Sequence, residues 1–141
     1  MSIPLLVFSA GVSDVIEEAL RQHNMLYDNM HIVSNKMGWN ADGVCDHFEE
    51  PLIHVFNKSE FCLEKTAYYD SIQDRPNVIL VGDSVGDVLM SQGLQHDICL
   101  NVGFLNHDID TLSEKYSQLY DIVIVGDSSI TPLLTVLEKL Q

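Results

Sequence analysis

The chain has 141 residues, 46% of them hydrophobic, and sets seven Lys plus Arg against 21 Asp plus Glu for a formal net charge of −14. That length suits one domain, and the apolar content supports a packed core rather than disorder. The charge argues against a nucleic-acid partner, which needs a basic face for phosphates, and against an anionic membrane surface.

Taken in chain order, LLVF at 5–8 reads as a buried strand, and SAGVSD follows it as a turn. Ser13 or Asp14 can cap a helix there, and Asp14 with Glu17 has capping-box spacing. Val12, Val15, Ile16, Ala19 and Leu20 then share one helical face. MHIVSN at 30–35 reads as a second strand, Asp42-Gly43 as a tight turn or hairpin, LIHVF at 52–56 as a strand and 59–72 as a helix. NVILV at 77–81 is a strand, the region 85–94 a helix and ICLNV at 98–102 a strand. A helix over 109–120, the strand DIVIV at 121–125 and a last helix follow, with Thr131 as N-cap and Pro132 in its first turn. Strands alternate with helices and several are continuously apolar, which predicts an α/β fold with a doubly wound, mostly parallel sheet.

No apolar run approaches the roughly 20 residues that cross a bilayer. MSIPLLVFSAG has no basic residue ahead of its short apolar run and reads as a strand, not a targeting segment. Cys45, Cys62 and Cys99 are widely spaced with no CxxC pair, so neither a disulfide framework nor a thiolate zinc site is expected. A reducing, cytoplasmic setting suits them.

The chemistry concentrates in VILVGDSVGD, residues 78–87. Asp83 stands where ligands gather, at the C-terminal end of a parallel strand, and Asp87 lies near the start of the next helix. Two close carboxylates suit Mg²⁺, yet Asp and Gly also populate ordinary turns and caps, so both readings stand from the loop alone. GDS recurs at 126–128 without a second Gly-Asp pair and reads as a plain strand-to-helix turn. Ser9-Ala10-Gly11 offers a hydroxyl and backbone N–H groups for a phosphate, though in isolation a plain strand-to-helix turn is the better reading. Lys58, one of only seven basic residues, offers a cation at a strand end, where a solvent-facing lysine is the ordinary alternative. The set Ser9, Lys58, Asp83 and Asp87 is more specific than any member.

That set resembles the second, third and fourth motifs of the haloacid dehalogenase-like phosphohydrolases. VFSAGVSDVIEEALRQ, LIHVFNK, NVILVGDSVGDVLMSQG and the tail with GFLN and LYDIVIV resemble the cytosolic 5'-nucleotidase III family, which includes pyrimidine 5'-nucleotidases and relatives acting on 7-methylguanosine phosphate. The resemblance covers essentially the whole chain. It implies a haloacid dehalogenase-like core and Mg²⁺-dependent hydrolysis of nucleoside 5'-monophosphates through a phospho-aspartate. It implies that Ser9, with backbone at Ala10 and Gly11, binds the transferring phosphoryl group and that Lys58 neutralises phosphate and nucleophile. Asp83 would ligate Mg²⁺, Asp87 would position the metal's waters or pair with Lys58, and Ser84 would help orient the loop.

The family's nucleophile is the first Asp of a DxDx[T/V] motif ahead of the serine motif, and a helical cap also inserts there. Neither has residues here, since the serine motif begins at Ser9. Asp108-Ile109-Asp110-Thr111-Leu112 imitates the motif, but leucine fills its final position, and helix capping is the expected role. The expectation is the C-terminal core portion of a 5'-nucleotidase, with an incomplete sheet open to self-association and no activity of its own. A non-catalytic remnant that binds phosphate, Mg²⁺ or a partner is the alternative. A receiver-like signalling module fits less well, because its acidic pair follows the first strand.

Overall fold

The computed structural model of the chain describes residues 3–54, 57, 67–91 and 95–140. Residues 3–54, 57 and 67–72 make up one compact unit, and the described residues from Gln73 onward make up another.

The first unit contains β1 (Leu5–Val12), α1 (Ser13–Gln22), β2 (Met30–Asn35), β3 (Met37–Trp39), β4 (Cys45–Phe48) and α2 (Ala67–Ile72). β1 and β2 run parallel, with Leu5 opposite Met30 and Phe8 opposite Val33. Val12 then faces Asn35, so β1 spends four steps where β2 spends two. Ser9, Ala10 and Gly11 are the bulged residues.

The expected turn after Phe8 is therefore replaced by a longer strand that runs directly into α1. The reason lies in β2. The Ser34 hydroxyl donates to the Gly11 carbonyl at 2.7 Å, and Asn35 Nδ2 donates to the Ala10 carbonyl at 2.9 Å. Side chains thus replace ladder bonds and keep the bulge attached. The N-cap of α1 is Val12, without a side-chain cap, and Asp14 instead accepts the Met37 N–H at 3.1 Å.

The predicted Asp42-Gly43 turn joins the antiparallel strands β3 and β4. Gly43 has φ +74°, and Asn40 Oδ1 accepts the N–H groups of Asp42 and Val44 at 3.0 Å each. Leu52–His54, expected as part of a strand, pair with no strand; Val55 and Phe56 lie outside the described residues. Ile53 takes a side chain as its partner instead: its N–H donates to Asn35 Oδ1 at 2.7 Å, and its carbonyl accepts from Nδ2 at 3.0 Å. The helix expected from residue 59 is described only as α2, its earlier part lying outside the described residues.

The second unit contains β5 (Asn77–Gly82), a 3-10 turn (Asp87–Ser91), β6 (Ile98–Leu105), α3 (Ile109–Leu119), β7 (Ile122–Val125) and α4 (Thr131–Lys139). Its strands are parallel in the order β5-β6-β7, with Gly82 opposite Gly103. Leu80 and Leu105 pack with Tyr116 of α3 and Tyr120 just beyond it, while Val102 and Ile124 pack with Leu133 of α4. The two strand faces thus meet different helices, which is why the strands read as unbroken apolar runs. The mixed α/β, mostly parallel, doubly wound architecture read from the sequence is present.

Two local details differ. Where an α-helix was expected from residue 85, the described segment is the tighter 3-10 turn: Asp87 N–H donates to the Ser84 carbonyl and Leu89 N–H to that of Gly86. Thr131 is the first helical residue rather than the cap, and its N–H donates to the Ser129 hydroxyl at 3.2 Å. No helix among the described residues is long and apolar enough to cross a membrane.

Candidate functional site

Asp83 follows β5 directly, and its side chain is exposed. Its carboxylate makes no hydrogen bond or ion pair among the described residues. Asp87 is 6% exposed, and its Oδ2 accepts the N–H groups of Asp83 at 3.1 Å and Ser84 at 3.0 Å. The four-residue spacing thus closes a small ring of backbone donors around one carboxylate oxygen. Gly82 makes room for it, since a Cβ there would stand 2.5 Å from the Asp87 Cβ.

The loop's carbonyls are held from the other side. The Tyr116 hydroxyl donates to the Asp83 carbonyl at 2.7 Å, and the Tyr120 hydroxyl donates to the Ser84 carbonyl at 2.6 Å. Both tyrosines are buried, with ring centroids 5.4 Å apart. Burial first, and then the nearby Asp83 and Asp87 carboxylates, push both phenols above their usual pKa, so they remain donors. Gly103 leaves space for Tyr120, whose ring a Cβ would meet at 2.5 Å. Ser84, expected to orient the loop, takes part through its backbone N–H and carbonyl.

In the first unit, the half-buried Ser9 accepts the Gly11 N–H on its hydroxyl oxygen at 3.0 Å. The hydroxyl proton is left to donate. Ala10 and Gly11 have their carbonyls tied back to Asn35 and Ser34. Lys58 lies outside the described residues.

The decoy at Asp108 sits at the N-cap position of α3 with φ +50° and makes no side-chain cap bond. Its carbonyl accepts from Thr111 and Leu112, so it starts the helix through its backbone. The second GDS is a turn with Gly126 at φ +70°, closed by the Ser128 hydroxyl donating to the Val125 carbonyl at 2.7 Å.

No group of three or more His, Cys, Asp or Glu able to hold a metal occurs among the described residues. The loop supplies hard oxygen donors but a partial set. That fits Mg²⁺, which keeps several waters and takes one or two carboxylates beside phosphate oxygens, and does not fit a closed protein cage.

Sequence reading missed Tyr116, Tyr120, Ser34 and Asn35. The tyrosines carried only a general signal: four residues apart in the predicted helix 109–120 they would share a face, and a buried phenol needs a hydrogen-bond partner, but the sequence does not say which.

The pyrimidine 5'-nucleotidase (UMPH-1) family model matches residues 1–141. The 7-methylguanosine phosphate-specific 5'-nucleotidase of Gallus gallus is 42% identical over 130 residues, covering 92% of this chain and 45% of that protein. Its Homo sapiens counterpart is 41% identical, with 92% and 43% covered. The crystal structure of cytosolic 5'-nucleotidase IIIB bound to cytidine superposes with a TM-score of 0.90 at 38% identity, covering 99% of this chain and 49% of that one. The chain thus spans less than half the length of these curated relatives. With a match along its whole length, it belongs to the pyrimidine 5'-nucleotidase (UMPH-1) family.

Proposed function

We propose that the chain is the C-terminal core portion of a Mg²⁺-dependent, cytoplasmic 5'-nucleotidase that hydrolyses nucleoside 5'-monophosphates to nucleoside and phosphate. The observation that carries this reading is the loop after β5, in a chain of this family. There an exposed carboxylate, Asp83, is presented at the C-terminal end of a parallel strand while Asp87 is buried and tied to the loop backbone. Asp83 would hold the metal directly, and Asp87 would position its waters or pair with Lys58. When bound, Mg²⁺ supplies positive charge to the phosphoryl oxygens.

Ser9 directs its hydroxyl proton to a phosphoryl oxygen, because the oxygen's other role, accepting from Gly11, is already filled. Backbone N–H groups at Ala10 and Gly11 complete that contact, that of Gly11 turning from Ser9 Oγ to do so, and Lys58 offsets the negative charge of phosphate and nucleophile. Hydrolysis in this family proceeds through a phospho-aspartate, which divides the displacement into two steps. The aspartate that would carry it belongs to a DxDx[T/V] motif that these 141 residues do not contain ahead of Ser9. The chain by itself is therefore inactive, as one partial core domain.

Steady-state phosphate release from nucleoside 5'-monophosphates, 7-methylguanosine monophosphate included, tests this. The chain alone gives no turnover above buffer. Turnover that disappears in Asp108→Asn would show the decoy to be a nucleophile. Fusing the N-terminal half of a full-length relative ahead of the serine motif restores Mg²⁺-dependent hydrolysis, which Asp83→Asn and Lys58→Ala each abolish. A folded fusion without activity would sink the nucleotidase reading.

A further inference from the structure

We propose that Tyr116 and Tyr120 are positioning residues for the Asp83 loop: the Tyr116 hydroxyl fixes a peptide plane that flanks Asp83 and so aims its carboxylate, and the Tyr120 hydroxyl fixes the next plane and holds the first in place. The purpose of that aim, holding a metal, rests on the nucleotidase reading above; the geometry does not.

A trans peptide is planar, and its carbonyl points opposite to the N–H that follows. Tyr116 pins the carbonyl of Asp83, so the N–H of Ser84 is sent the other way, onto Asp87 Oδ2. The peptide is held at both ends. Tyr120 pins the next carbonyl, that of Ser84, and fixes the plane between Ser84 and Val85. Upstream, the Asp83 N–H also binds Asp87 Oδ2, which anchors the plane between Gly82 and Asp83.

Three successive planes are thereby anchored, two of them flanking Asp83. With both flanking planes set, φ and ψ of Asp83 are set, and so is the direction of its Cα–Cβ bond. This matters because the Asp83 carboxylate has no hydrogen bond among the described residues to aim it. Its direction has to come from the backbone, and the phenols hold that backbone from inside the core. Phenylalanine at either position would fill the same volume and leave one carbonyl without its donor.

The test uses the full ¹⁵N-labelled chain with Tyr116→Phe and Tyr120→Phe. Amide exchange is read at Asp83 and Ser84, with Val102, fully buried in β6, as the reference for global opening. Each variant speeds exchange at Asp83 and Ser84 by roughly fivefold or more relative to Val102. Titration with Mn²⁺, followed by the loss of its electron paramagnetic resonance signal, reads the carboxylate directly. Each variant weakens Mn²⁺ by about tenfold, as loss of an outer-shell partner does, and Asp83→Asn abolishes binding.

Exchange at Asp83 and Ser84 that rises only in step with Val102 would overturn the proposal, because it would mean a general loss of stability. So would wild-type Mn²⁺ affinity in both variants. If the wild-type chain takes no Mn²⁺, the metal reading fails separately, and the exchange ratio still decides whether the tyrosines position the loop.

Discussion

A buried carboxylate needs partners, and Asp87 has two of them in the N–H groups of Asp83 and Ser84. That contact depends on a missing side chain. An added Cβ at Gly82 would press on the Asp87 Cβ at 2.5 Å, and one at Gly103 would press on the Tyr120 ring at the same distance. Neither neighbour can retreat without giving up a hydrogen bond to the loop. Gly82→Ala and Gly103→Ala are each expected to cost about 1–3 kcal/mol in urea unfolding, the range for overpacked cores. His31 offers a second prediction. It stacks on Tyr68 with centroids 4.1 Å apart, and burial, followed by the charge of Lys36, holds its pKa below the usual 6.5. The unfolded chain then binds the proton more readily than the folded one. The neutral ring's contribution is full above pH 6.5 and is lost as pH falls through 6.5 toward the lowered folded value. Thermal unfolding of the wild type is expected to weaken over that interval more steeply than that of His31→Phe, which keeps a ring and removes the charge.

At the scale of elements, the bulge in β1 depends on what β2 sends across. Asn35 makes three hydrogen bonds, one to Ala10 and two to Ile53, and so stands in for ladder bonds on two segments. Asn35→Ala is expected to cost about 1–3 kcal/mol, because it leaves buried backbone groups unpaired. Asn35→Asp, though nearly the same shape, is expected to be no milder. It would turn a carboxylate oxygen toward two carbonyls that now receive an N–H. Urea melts of the pair decide this, and a benign Asp variant would show that shape rather than donor polarity holds the bulge. This arrangement also marks where sequence reading stopped. β5, β6 and β7 were legible because strands buried on both faces are apolar throughout. The hairpin was legible because Asp42-Gly43 admits the positive φ that its turn needs. Ser9-Ala10-Gly11 has turn composition, and only the side chains of Ser34 and Asn35, more than twenty residues away, make it strand. The loop at Asp83 announced itself by spacing, whereas the tyrosines behind it looked like any aromatic pair on a helix face. Contacts between distant segments carry no local signature.

At the largest scale, strand edges left unpaired among the described residues and the net charge act in opposite directions. Among the described residues, β1 pairs only with β2, while β5 and β7 each pair only with β6. None of these edge strands carries a charged residue, the usual protection against pairing with another chain. Apolar side chains also reach solvent there, with Leu5 49%, Val81 38% and Val125 45% exposed. Edge pairing between copies would extend the ladders through edge N–H and carbonyl groups and cover these side chains. Against it stands a net charge of −14 on every copy. Such repulsion is long-ranged at low salt, but the screening length falls to about 10 Å at 0.1 M and about 3 Å at 1 M. Strand contacts act over shorter distances and strengthen little with salt. Association is therefore expected to be suppressed in dilute buffer and to appear as salt rises, the reverse of what an ion-paired interface would do. Sedimentation velocity of the chain in low and high sodium chloride measures it. Replacing Val81 with Lys, which puts a charge on β5, is expected to shift the onset to higher protein concentration. A chain that stays monomeric at both salt levels and at high concentration would mean that the open edges are not adhesive, and the self-association reading would fall.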